Sequence, residues 1–184
     1  MRNLTLVLIL ILSIGLLSAD MMPDFRLPNM ASENVSLESL LGKGPLIIDF
    51  WADYCQPCKV AMPYLQELSQ KYEDLTVVLI SIDAPRAQNR AKNYLRSRNY
   101  DFVSLFDPER SLSGRLNVSN PPHTFIVDAE GNIVYSHVGF EPGTEKIYEG
   151  YIRDLLGIED EVEAPQKERE HCGDCTGEHE EDQQ

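Results

Sequence analysis

Leu46 to Trp51 is almost unbroken apolar sequence, which is the pattern of a strand buried on both faces. A lead-in stretch precedes it. Pro23-Asp24-Phe25-Arg26-Leu27 reads as extended, Val35-Ser36-Leu37 and Leu40-Leu41 follow, and Gly42-Lys43-Gly44-Pro45 forms a turn. From Cys55 to about Tyr72, Met62, Leu65 and Leu68 share one side of a helix, and Pro63 should kink it. Leu75 to Ile82 is a second buried strand. Arg86 to Arg98 then reads as an exposed helix, Phe102 to Phe106 as a strand and Ser111 to Leu116 as a short helix. His123 to Asp128 and Ile133 to Val138 form strands around the turn Ala129-Glu130-Gly131-Asn132. Thr144 to Leu156 closes as a helix with Gly157 as its C-cap. Alternating strands and helices predict an α/β fold, a central mixed sheet flanked by helices whose last two strands make an antiparallel edge.

The 184 residues suit one domain with appendages. Residues 1–19 stand apart: Arg2 precedes an apolar run from Leu4 to Leu17, and Ser18-Ala19 offers a cleavage edge before Asp20. This reads as a signal peptide or, uncleaved, a membrane anchor, and in either case it predicts export to a compartment where disulfides persist. The domain is expected over 20–158. The formal net charge is −14, which argues against nucleic acid and anionic membrane surfaces as partners. Much of that charge is in residues 159–184, where eleven acids meet only Lys167 and Arg169. Such a composition reads as a disordered tail.

Chemistry enters with the four cysteines, arranged as two C-x-x-C pairs. Cys55 and Cys58 fall where a strand hands over to a helix. Three residues apart, they share a face of the first helical turn and can bond or separate with little backbone movement. A helix N-terminus favours negative charge and so stabilises a thiolate. Cys55, at the helix start, is the expected nucleophile, and Cys58, one turn deeper, the resolving cysteine. A structural disulfide and half of a zinc site are the alternatives, although the body holds no second cysteine pair to complete a zinc site.

Trp51-Ala52-Asp53-Tyr54-Cys55-Gln56-Pro57-Cys58-Lys59 resembles the thioredoxin signature, with Gln56 where that family usually has glycine. Pro63 stands at the family's helix-kinking proline, and Pro122-His123-Thr124-Phe125-Ile126-Val127-Asp128 looks like its cis-proline strand. The Pro-Asp-Phe-x-Leu start and the extra strand–helix unit before the cis-proline resemble the exported TlpA/ResA-like thiol–disulfide oxidoreductases. The resemblance covers about residues 23–157. It implies a thioredoxin-like fold and a redox-active Cys55–Cys58 pair needing no added cofactor. It further implies protein thiols and disulfides as partners, with an upstream electron donor or acceptor.

Asp49 is the third candidate catalytic residue. Aspartate is depleted inside buried strands because burying its charge is costly. Thioredoxin has a buried acid at the matching position, which implies a general base that takes the proton from Cys58. A desolvated carboxyl with a raised pKa suits that task. Satisfaction by backbone donors or by Lys59 is the structural alternative. Trp51, Tyr54, Gln56 and Pro57 are expected around the substrate, with Trp51 and Tyr54 on an apolar rim, core packing of Trp51 being the close second reading. Pro121 and Pro122 join them from the facing loop. In the family the residue before the cis-proline pairs its backbone with bound peptide, and here Pro121 lacks an N–H. One main-chain bond to substrate should therefore be missing. His123 reads most simply as a polar residue starting a strand.

The tail carries His171-Cys172-Gly173-Asp174-Cys175 and His179, ligand types suited to zinc or copper(I). A metal-binding or metal-delivery tail, a second redox pair that exchanges with Cys55–Cys58, and an inert disulfide loop all fit these residues. The leading reading is an exported oxidoreductase that reduces protein disulfides. Metal delivery is one alternative. A thiol peroxidase is another, disfavoured because the residues before Cys55 lack Pro-x-x-x-Thr-x-x-Cys.

Overall fold

The computed structural model describes residues 20–158. The expected signal segment 1–19 and the tail 159–184, with His171, Cys172, Cys175 and His179, lie outside the described residues. No helix among the described residues is long and apolar enough to cross a membrane.

Strands β3 (Leu46–Trp51), β4 (Thr76–Ser81), β5 (Val103–Phe106), β6 (His123–Val127) and β7 (Ile133–Val138) form one sheet. Its order is β5-β4-β3-β6-β7. β3 runs parallel to β4 and antiparallel to β6, β4 is parallel to β5, and β6 is antiparallel to β7. All six residues of β3 are buried, as the continuous apolar run requires of a centre strand. β7 alternates half-buried and exposed positions, as an edge strand does.

Four helices complete the unit: α1 (Gln56–Lys71), α2 (Gln88–Arg98), α3 (Ser111–Arg115) and α4 (Thr144–Leu156). α1 buries Cys58, Ala61, Met62, Leu65 and Leu68, and Pro63 stands inside it. Having no N–H, that proline leaves the Lys59 carbonyl without its usual donor. The α1–α4 contact is fastened where Glu149 accepts the Tyr72 hydroxyl at 2.6 Å and pairs with Lys71.

Most element ends fall within a residue of expectation, and two segments depart further. The helix predicted from Arg86 starts as a 3-10 turn, Pro85–Ala87, and becomes α-helical only at Gln88. Neither start has a side-chain cap to satisfy its free amides. It is also not exposed throughout, since Ala91 and Leu95 are buried. The lead-in stretch forms β1 (Arg26–Pro28) and β2 (Asn34–Ser36), an antiparallel pair of its own. Asn29 closes the turn between them by accepting the amides of Ala31 and Glu33.

Asp107 is a buried polar residue with a defined task. Its carboxylate accepts the Ser111, Leu112 and Ser113 amides and the Ser111 hydroxyl at 2.8–3.2 Å. It thereby holds α3, the segment leading into the Pro121–Pro122 loop. Arg110 ties the same stretch together by donating to the Val118 carbonyl at 3.0 Å. Replacing Asp107 with alanine leaves three amides, two of them buried, without their acceptor. The expected loss is about 2–4 kcal/mol in denaturant unfolding; a change below about 0.5 kcal/mol would show that the carboxylate does not hold the segment.

Candidate active site

Beyond β3 the chain turns through Ala52, Asp53 and Tyr54 and enters α1 at Cys55. The turn is built from hydrogen bonds. The Cys55 amide donates to the Ala52 carbonyl at 2.9 Å, and the Asp53 amide donates to the buried Asp83 carboxylate at 2.8 Å. Ser81 donates to the same Asp83 oxygen at 3.0 Å. The Asp53 carboxylate receives Lys59 at 3.2 Å and Arg90 at 3.5 Å. The lysine ammonium also lies 4.5 Å from the centre of the Tyr94 ring. Lys59 is therefore engaged with Asp53 and is not the partner of Asp49.

Cys55 is the N-cap of α1, and its Sγ accepts the Cys58 amide at 3.2 Å. Cys55 and Cys58 are disulfide-bonded, with Cα atoms 5.4 Å apart. Cys55 is 6% exposed and Cys58 is fully buried, so the sulfur at the helix start is the one a partner can reach. The first turn of α1 holds no acidic residue, which leaves the helix-terminal field unopposed on its own element.

Pro57, Pro121, Pro122, His137, Phe140 and Thr144 line an open groove of about 590 Å³ beside the pair. The Pro121–Pro122 peptide bond is cis. Tyr54 is 68% exposed and Gln56 and Pro57 are also exposed, so all three are available to a docked chain. Trp51 does not join that rim. It is fully buried and packs with Tyr94, ring centres 5.9 Å apart, because the last residue of a centre strand is still inside the core. His123 is buried in β6, stacked on Phe125, with Nε2 2.9 Å from the Ser136 hydroxyl. Burial and the neighbouring His137 pull its pKa down, so it is neutral at physiological pH.

Asp49 is fully buried in β3. Its Oδ1 accepts the Thr124 hydroxyl at 2.7 Å, and its Oδ2 has no partner among the described residues. Burial raises its pKa from 3.8 to about 7, with the Thr124 hydrogen bond holding it partly down. Thr124 in turn accepts the hydroxyl of Tyr148, fully buried on α4, at 3.1 Å. The sequence did not single out Thr124, Tyr148 or Asp83. Thr124 sits in the strand after Pro122 and has the same parity as Asp49 in the pairing, which was its one available signal; Tyr148 looks like any core aromatic on an amphipathic helix. Among the described residues, no group of three or more His, Cys, Asp or Glu is placed to hold a metal ion.

Comparison with known proteins agrees with this arrangement. Residues 19–136 match the AhpC/TSA family. The chain is 29% identical over 133 residues to the thiol-disulfide oxidoreductase ResA of Bacillus cereus, covering 72% of this chain and 75% of that protein. It is 33% identical over 119 residues to the thiol:disulfide interchange protein DsbE of Vibrio cholerae, covering 64% and 62%. A Chlorobium tepidum crystal structure described as a DsbE-type thiol:disulfide interchange protein superposes with a TM-score of 0.70 at 30% identity, covering 76% of this chain and 97% of that one.

The Asp49 carboxyl should be visible in stability as well as chemistry. Its folded value of about 7 lies above the ordinary 3.8, so the folded state holds the proton more tightly than the unfolded one. That contribution is full below 3.8 and is lost as pH rises through about 7, up to about 4 kcal/mol in all. Asp49→Asn should therefore stabilise the protein at pH 8 and flatten the dependence between pH 4 and 8. Urea unfolding of the oxidised form measures both, and an unchanged slope would mean that Asp49 titrates like an exposed carboxylate.

Proposed function

Since the chain belongs to the AhpC/TSA family and is a thioredoxin-like thiol–disulfide oxidoreductase, we propose that it works as an exported reductase of protein disulfides, with Asp49 as the base of the resolving step. One observation carries the proposal: a fully buried carboxyl, its pKa raised to about 7 by burial, stands in the strand that leads into the helix carrying the buried Cys58. A thiol as enclosed as Cys58 has poor access to bulk water for its proton, and a base poised near neutrality fills that need.

The reaction follows from the two sulfurs. Reduced Cys55, as thiolate at the helix start, attacks one sulfur of the client disulfide. The client's S–S bond breaks, its second sulfur leaves as thiolate and takes a proton from water, and a mixed disulfide with Cys55 forms. Asp49 then accepts the Cys58 proton, directly or through a water. The Cys58 thiolate attacks Cys55 Sγ, the mixed disulfide breaks, and the remaining client sulfur leaves as thiolate to be protonated. Two electrons pass to the client, and Cys55–Cys58 is left as a disulfide for an upstream dithiol to reduce. The groove beside Pro57 and Pro122 is where the client backbone would lie. With Pro121 offering no N–H, docking there rests more on the apolar lining, Tyr54 and side-chain contacts. The apolar segment 1–19 supports the exported address.

Insulin reduction tests the roles. Cys55→Ser should lower the rate to background, and full activity in that variant would end the proposal. Cys58→Ser should instead accumulate mixed disulfides with clients, seen on non-reducing gels; no trapped species would reverse the assignment of the two sulfurs. The wild-type single-turnover resolution rate should rise as pH passes about 7, where Asp49 loses its proton. Asp49→Asn should slow resolution by about 10-fold or more at pH 7 and abolish that rise. A variant that keeps the wild-type profile would exclude Asp49 as the base.

A further inference from the structure

Thr124 is the register partner of Asp49 on one side and of His137 on the other, so the three lie in one row across β3, β6 and β7. Tyr148 reaches the row from α4. The directions of the two hydrogen bonds are constrained. A tyrosine hydroxyl carries one proton and a threonine hydroxyl carries one. Burial raises the Tyr148 pKa, so the phenol keeps its proton and gives it to Thr124 Oγ1. Thr124 has that acceptor site filled and gives its own proton to Asp49 Oδ1. The bond to Oδ1 favours the carboxylate, and it survives, more weakly, in the neutral acid provided the acid's proton is on Oδ2.

We propose that Tyr148 and Thr124 are positioning residues that fix Oδ2 as the proton-exchanging atom of Asp49 and set the pH at which it becomes a base. The inference rests on the reading of Asp49 as the resolving base and adds which atom acts and what tunes it. Thr124 stabilises the charged carboxylate directly. Tyr148 acts one step away, polarising the threonine hydroxyl and stopping it from turning to another acceptor. Other groups around the row do not substitute for them. β4 places Leu79 opposite Asp49, and β7 contributes His137 and Tyr135, whose rings lie 6.3 and 6.2 Å from that of Tyr148. β6 contributes His123, whose Nε2 is engaged with Ser136. α1 brings the cysteine pair itself, while Lys59 and Lys71 are engaged with Asp53 and Glu149.

The test is a titration of the Asp49 carboxyl carbon by NMR in the full chain, alongside the pH profile of single-turnover resolution. Thr124→Val removes the hydroxyl at nearly constant shape and should raise the Asp49 midpoint by about one pH unit. Tyr148→Phe keeps the ring, should move the midpoint the same way by less, and tests the same link if the valine variant does not fold. Because Tyr148 acts through Thr124, the double variant should move no further than Thr124→Val alone. Thr124→Ser should restore the wild-type midpoint, which simple loss of packing would not explain. A midpoint unmoved in Thr124→Val, or additive shifts in the double variant, would overturn the proposal. A midpoint that moves without the rate profile following would uphold the pair's hold on Asp49 and refute Asp49 as the base. An unmoved midpoint with the profile still lost in Asp49→Asn would refute the pair and leave the base standing.

Discussion

A carboxyl group in the centre strand of the sheet is the constraint around which the site is arranged. β3 has a strand on each side and all six of its residues buried, so nothing on it reaches water. Asp49 therefore cannot carry its charge at the ordinary cost, and its pKa rises to about 7. The fold could have cancelled that penalty with a cation, as surface carboxylates do here: Asp53 has Lys59 and Arg90, and Glu149 has Lys71. Asp49 receives one hydroxyl instead. A paired lysine would hold the group permanently ionised, whereas a hydroxyl stabilises the charge only in part and leaves the proton exchangeable near neutrality. Asp107 is the instructive contrast. It is equally buried, but three amides and a hydroxyl saturate its carboxylate, and it serves as a structural clasp.

The cysteine pair uses the same strand in a different way. β3 ends at Trp51, four residues before Cys55, and the intervening turn is pinned by Asp83 through the Asp53 amide. That pinning places Cys55 as N-cap, with its sulfur accepting a helix amide. The two sulfurs thus have unlike surroundings at a Cα separation of 5.4 Å. One meets solvent and the field of the helix start. The other is sealed against the core.

How much of this was legible follows from what sequence patterns encode. β3, β7 and α4 matched closely because a centre-strand apolar run, a strict alternation and an amphipathic helix with a terminal glycine each have one simple structural solution. Cys55, Cys58 and Asp49 stood out because each is chemically unexpected at its place. Trp51 was misplaced on the rim, since adjacency in sequence to a reactive motif says little about which way the last residue of a strand faces. Thr124 and Tyr148 were invisible for a related reason. A threonine in a strand and a tyrosine on a core-facing helix are ordinary residues, and only the pairing of β3 with β6, with α4 laid over it, brings their hydroxyls into line.

If Asp49 is the base proposed above, the difference in exposure between the two sulfurs explains why a buried carboxyl belongs here at all. If both cysteines were open to solvent, hydroxide and buffer could deprotonate either, and a carboxyl in the centre strand would be a stability cost without return. Enclosing Cys58 shields it from outside thiols and oxidants, which in the proposed mechanism fixes the order of events at the pair. The same enclosure blocks the exit of its proton. In that mechanism the acceptor must be part of the interior and must ionise close to the pH at which the protein works. A carboxyl raised to about 7, held by the Thr124 hydroxyl and with Oδ2 unpartnered among the described residues, meets both requirements. The stability sacrificed at Asp49 is on this view a direct consequence of hiding Cys58.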